Sequence, residues 1–194
     1  AADRKIVLDS LYIQNGKVYT DFHIENLLDD KTIAGLHKGF TSKVEHQVRL
    51  WKTSKLVSSL QSEVKLVVIL MYDHWENKYA IFSESEKRLT TSLDRLYEQS
   101  AYVTGLPVAD ISQINDKAKY YLSVHSTFQP MSDEAYSELR DWISQKPSDE
   151  AKVKRKQNRG RFFHVLLGLM GFGDSGFNFK SPDFYMRNNT QIEI

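Results

Sequence analysis

The chain contains no cysteine in its 194 residues. That excludes disulfides, thiolate nucleophiles, iron–sulfur clusters and cysteine-ligated zinc together. No apolar run approaches the roughly 20 residues a membrane-spanning helix needs, the longest being Phe162–Phe172. An excess of charge is also missing: 26 Lys+Arg face 25 Asp+Glu, for a formal charge of +1, so no DNA partner is expected. The pattern Gly-x-Ser-x-Gly and the phosphate-binding loop are both absent. Gly168, Gly171, Gly173 and Gly176 lack the strand-then-helix setting of a dinucleotide site. What remains is ordinary: 41% hydrophobic, 12% aromatic and 26% charged residues. A chain of this length buries roughly 70% of its unfolded surface without a metal or disulfide, and one main domain is expected.

Alternation with a period of two dominates the first half. Val18, Thr20, Phe22 and Ile24 alternate with Lys17, Tyr19, Asp21 and His23, behind an Asn15-Gly16 pair that follows the apolar stretch Ile6–Ile13. Asn-Gly favours the positive φ angles of a type I′ turn, so a hairpin Lys5–Glu25 is predicted. Asp29 or Asp30 can cap a helix Lys31–Lys38, with Gly39 as its left-handed exit. Phe40, Ser42, Val44, His46, Val48 and Leu50 then share one face of a long strand, and Lys52–Ser62 reads as a polar, Ser-rich loop or irregular edge. Val64–Tyr72 is a central strand covered on both faces, joined through Asp73–Asn77 to a strand Lys78–Phe82.

From Ser85 the spacing of Leu89, Leu93, Leu96, Tyr97 and Ser100 predicts a helix ended near Leu106-Pro107. Ala118, Tyr120, Leu122, Val124, Ser126 and Phe128 form another alternating strand, stopped by Pro130. Ser132 caps a helix Asp133–Ser144 with an inner stripe of Tyr136, Leu139, Trp142 and Ile143. A last strand is expected within Phe177–Met186, broken or at an edge because Pro182 cannot donate to a ladder. The expected fold is mainly β or α+β, an antiparallel sandwich-like sheet with two or three inserted helices. Residues 1–144 form the β-rich core, 145–161 a basic linker, and 162–194 an apolar segment with a C-terminal strand returning to the core.

Candidate chemistry is sparse. The six histidines, His23, His37, His46, His74, His125 and His164, show no metal-binding spacing, so no metal and no cofactor are expected. His46 reads as a hydrogen-bonded core histidine and His125 as a surface one. Asp73, His74, Trp75 and Glu76 crowd a hairpin tip, where turn formation competes with a recognition loop anchored by Trp75. Lys152, Lys154, Arg155, Lys156, Arg159 and Arg161 run without an acid into Phe162 and Phe163. Such a segment can be a solvated linker, or it can contact anionic lipid or a protein partner. RNA is disfavoured, because no aromatic platform is interleaved with these charges.

The order of elements resembles that of a bacterial family of unknown function, the DUF4390 domain proteins. The resemblance rests on the hairpin Ile6–Ile24, the helix Lys31–Lys38 and the Arg49-Leu50-Trp51 strand end. It continues through Lys119-Tyr120-Tyr121-Leu122 and a Trp-bearing helix over Glu138–Ile143, covering residues 5–186. It implies export to the cell envelope and brings neither an activity nor catalytic residues; Gln145–Arg161 has no counterpart in it.

The missing cysteine and the opening Ala1-Ala2-Asp3, compatible with signal-peptidase cleavage, point to an extracytoplasmic protein after signal-peptide removal. The expected function is a non-catalytic envelope accessory or interaction domain that binds a protein partner or the membrane surface. A carrier of a small apolar ligand, held between sheet and helices by residues such as Tyr97, Tyr120 and Phe128, is the alternative. A hydrolase using His46 or His74 comes third. The residues do not fix an oligomeric state.

Overall fold

A computed structural model describes residues 3–130, 137, 176–187 and 191–193. The fold is mainly β, with two antiparallel sheets and two inserted α-helices among the described residues. Strands β1 (Lys5–Gln14) and β2 (Lys17–Glu25) form the expected hairpin, paired from Lys5↔Glu25 to Gln14↔Lys17 with a register shift between Leu8 and Ser10. Its turn is closed by Asn15 at φ 49° and Gly16 at φ 73°. A type I′ turn requires that pair of positive angles, and Asn-Gly supplies them at least steric cost. The third strand of this sheet, β7 (Tyr102–Asp110), pairs with β2.

Helix α1 (Asp30–His37) carries the chain to the second sheet. The Asp29 carboxylate accepts from the Thr32 amide at 2.8 Å and hydroxyl at 2.6 Å, and Gly39 leaves the helix at φ 90°. The large sheet is built on β3 (Ser42–Lys52), flanked by β4 (Ser59–Asp73) and β8 (Lys119–Pro130). Beyond β4 lie β5 (Lys78–Phe82) and β6 (Lys87–Thr90). Beyond β8 lie β9 (Gly176–Lys180), β10 (Phe184–Arg187) and β11 (Gln191–Glu193).

The core sits between the two sheets. Ile6, Val18, Phe22 and Ile24 meet Val44, Val48, Leu50, Leu70, Leu122 and Val124 there, all buried. The edge contact of Phe22 with His46, at 5.4 Å between ring centres, joins the layers. Helix α2 (Leu93–Ala101) plugs Leu96 and Ala101 into the same cluster. Across β4, burial on both faces holds only at Ile69, Leu70 and Met71; elsewhere along the strand the side chains of both faces are half-buried or exposed.

Several expectations need correction. The helix expected from Ser85 begins at Leu93, where the Ser92 hydroxyl accepts from the Arg95 amide. Its first turns are instead strand β6, because pairing with β5 satisfies the backbone of Lys87–Thr90 at the sheet edge. The segment around Leu106-Pro107 is strand β7 rather than a helix end. Pro107 is tolerated because, among the described strands, β7 pairs only with β2 and slips register beside it. Lys52–Ser62, expected as a loop or irregular edge, holds both: β4 starts at Ser59, opposite Lys52, with a register shift between Leu50 and Trp51. Phe40, assigned to the core face, is 54% exposed.

Pro182 breaks the C-terminal strand as expected. β9 and β10 lie along the same edge of β8, separated by residues 181–183. Ser181 bridges the gap: its amide donates to the Leu122 carbonyl at 2.8 Å and its hydroxyl accepts from the Leu122 amide at 2.9 Å. The ladder is therefore satisfied where proline interrupts it. The expected helix Asp133–Ser144, the basic linker 145–161 and the apolar block Phe162–Phe172 lie outside the described residues.

Candidate functional site

The hairpin joining β4 to β5 presents the expected loop residues at one end of the large sheet. Asp73 and Lys78 form its last pair. The Asp73 carboxylate folds inward, accepting from the amides of Trp75 at 2.9 Å and Glu76 at 3.1 Å. Asn77 closes the turn at φ 51°, and Lys78 reaches Glu76 at 3.2 Å. Turn chemistry thus consumes Asp73, Glu76 and Asn77. Trp75 is left 96% exposed, on a backbone held by those bonds.

Behind the tip lies an aromatic and imidazole cluster. Tyr72 and Tyr79 are cross-strand partners with ring centres 5.0 Å apart. His37, at the end of α1, sits 4.6 Å from Tyr72 and shares a 2.7 Å hydrogen bond with the Tyr79 hydroxyl. His74 meets the edge of Tyr72 at 5.1 Å. Burial, then the neighbouring Tyr72, pushes the Tyr79 phenol above its ordinary value, so it stays protonated in that bond. Phe40, three residues beyond His37, adds a further exposed ring. The sequence pointed to the Trp75 tip but not to its backing by His37 and Tyr79, which requires α1 to be docked on the sheet.

His46 and Ser126 are 2.8 Å apart, Nδ1 to Oγ, on adjacent strands. By distance alone this is a hydroxyl–imidazole pair. Both residues are fully buried, the Nε2 atom has no hydrogen-bond partner among the described residues, and burial lowers the imidazole pKa to about 4. A nucleophile needs access to substrate and a base that can hold a proton near neutral pH. This pair has neither, so it is the core histidine the alternation indicated. His125 lies on the opposite, outer face and pairs with Asn178 at 2.6 Å. His23 is held by Asp9 at 2.8 Å and stacks on Tyr102 at 4.9 Å. No group of three or more potential metal ligands forms among the described residues.

An open trough of about 670 Å³ crosses the outer face of β3, β8 and β9, lined by Gln47, Arg49, His125, Asn178 and Lys180 among others. Arg49 there binds Glu63 at 2.6 Å, and together with Gln47 holds that carboxyl below its ordinary pKa. Residues suggested for a ligand pocket sit elsewhere. Tyr97 donates its hydroxyl to the Ile24 carbonyl, Tyr120 hydrogen-bonds Asn115, and Phe128 packs under Arg4 at 4.2 Å. Lys152, Lys154, Arg155, Lys156, Arg159, Arg161, Phe162 and Phe163 lie outside the described residues. No described helix is long and apolar enough to cross a membrane.

The class defined by these observations is a two-sheet antiparallel β-domain with a polar outer face and an exposed aromatic tip on a hydrogen-bonded turn. The particular family follows from the sequence: residues 5–131 match the domain of unknown function DUF4390, and the chain belongs to that family. The match ends at 131, short of the 186 expected, so Glu138–Ile143, expected to carry a Trp-bearing helix, and strands β9–β11 lie beyond it. No curated protein and no solved structure matches the chain.

Proposed function

We propose that this domain is a non-catalytic interaction module of the cell envelope that docks a protein partner on the Trp75 tip. The observation that carries the reading is a tryptophan 96% exposed on a turn held by its own side-chain hydrogen bonds. Tryptophan buries up to about 250 Å² on docking, and a pre-ordered loop loses little further entropy in doing so. Such residues dominate interface energetics. His37, Tyr72 and His74 form the aromatic cluster behind it.

The test places a photo-cross-linking amino acid at position 75 and, as control, at the exposed Lys65 of β4. Irradiation of cells carrying each form is expected to give a discrete protein adduct at position 75 and none at position 65. Equal labelling at both positions, or no adduct at 75, overturns the proposal.

A further inference from the structure

We infer that the loop between β3 and β4 is a membrane-docking tip that inserts Leu56 and Val57 into the interface of an anionic lipid bilayer. This goes beyond the Trp75 reading, since the loop lies at the other end of β4. Leu56 is 95% exposed, Val57 79% and Leu60 47%. Single exposed aliphatics are common on protein surfaces, but here Leu56 and Val57 stand side by side in the loop and Leu60 follows at the start of β4, opposite Trp51.

The base of the loop is anchored while its tip is free. The Thr53 amide donates to the Lys119 carbonyl at 2.8 Å, and the Thr53 hydroxyl reaches Asp183 at 3.4 Å. Beyond that the polar bonds are local: the Leu56 amide to the Ser54 hydroxyl at 3.4 Å, and the Gln61 amide group to the Ser59 carbonyl at 3.1 Å. The aliphatic side chains therefore project from a short, supported loop.

Charge selects the occupant. Lys52 and Lys55 immediately precede the apolar residues, and no acid occurs from Lys52 to Ser62. Lys17, Lys117 and Lys119 lie at the same end, against Asp110, Asp116 and Asp183. Asp110 is engaged by the Ser112 amide and hydroxyl at 2.9 and 2.6 Å. Lysines can extend their ammonium groups to lipid phosphates while their stems follow the apolar residues inward. The tip holds Leu, Val, Ser and Thr, types under-represented at the energetic centres of protein interfaces, and no aromatic or arginine. Seated this way, the 15-residue β4 holds Trp75 roughly 50 Å along the strand from the lipid.

The experiment is co-sedimentation of the full chain with phosphatidylcholine vesicles, with and without phosphatidylglycerol. Binding is expected only where phosphatidylglycerol is present, and added salt should weaken it. Leu56→Ser with Val57→Ser should lower partitioning at least about tenfold, and Lys52→Gln with Lys55→Gln by about 30-fold. All four positions lie outside the core, so the thermal midpoint should not move. Because the chain has no cysteine, Val57→Cys can carry a single environment-sensitive dye, whose emission should shift to the blue on phosphatidylglycerol vesicles. Trp75→Ala should bind vesicles like the wild type, which separates this proposal from the Trp75 reading. No binding of the full chain to anionic vesicles overturns the inference. So does unchanged binding by the Leu56/Val57 variant, which would assign the lipid contact to another segment, or an unshifted dye, which would leave the tip to a protein.

Discussion

Acid should destabilise this domain well above the carboxylate range, because His46 must stay neutral to remain in the core. Its imidazole is fully buried, accepts no compensating charge and has one hydrogen-bond partner, Ser126. Burial lowers its pKa from 6.5 to about 4. Between those values the unfolded chain binds a proton that the folded chain refuses, so stability rises with pH across the window. The contribution is fully present above pH 6.5 and is lost as the pH falls towards about 4. At about 1.4 kcal/mol per pH unit the loss is about 3 kcal/mol, a large share of the 5–15 kcal/mol that typical domains possess.

The assay is urea denaturation at half-unit steps through that window, for the wild type and for His46→Leu combined with Ser126→Ala. The double change removes the titrating group without stranding the Ser126 hydroxyl. The wild-type free energy should fall by about 3 kcal/mol while the variant stays nearly flat. Parallel slopes for the two proteins would refute the reasoning, since some other group would then be taking up the proton.

Other expectations follow from the same contacts. Phe22→Ala, at the junction of the two sheets, should cost about 3–5 kcal/mol in urea denaturation, because the rigid layers cannot collapse into the space. Ser181→Ala strands the buried Leu122 amide and should cost about 1–3 kcal/mol, with faster hydrogen exchange at that amide. Asp29→Ala removes the α1 cap and should lower stability by about 1 kcal/mol by thermal melting. The Thr32 hydroxyl and amide, then the nearby cations, hold the Asp29 pKa below its ordinary value against the opposing effect of burial. Its contribution is therefore present above the ordinary carboxylate pKa and is lost as pH drops through the folded one, below the window of His46.

Local signals determined much of the fold. The Asn15-Gly16 turn, the Asp29 cap and the strict alternation of β2, β3 and β8 each depend on neighbours a few residues away, and each was legible from residue order. Where tertiary pairing overrides local preference, reading failed. Leu89 falls on a helical stripe with Leu93 and Leu96, yet β5 recruits Lys87–Thr90 as an edge strand. Gly105 at φ 64° and Pro107 look like breakers, but β7 has a single partner among the described strands and absorbs both as irregularities. The polar start of β4 carries no alternation, and its pairing is imposed by the far end of β3.

The candidate site divides the same way. A turn at Asp73–Asn77 is written in its residue types, and Trp75 stands out within it. The cluster behind it depends on His37 reaching Tyr79 across 42 residues of sequence, and no local pattern announces that. The Leu56-Val57 tip hides among serines and lysines, where composition reads simply as a polar loop. Only the exposure of those two side chains, set by the hairpin's projection, separates it from one.

The central claim is that one exposed indole governs partner binding, and it is tested most directly by the affinity of the partner identified through position 75. Trp75→Ala should weaken that affinity about 30-fold or more, the effect of truncating an interface hot spot, with the thermal midpoint unchanged. An affinity equal to that of the wild type would contradict the account.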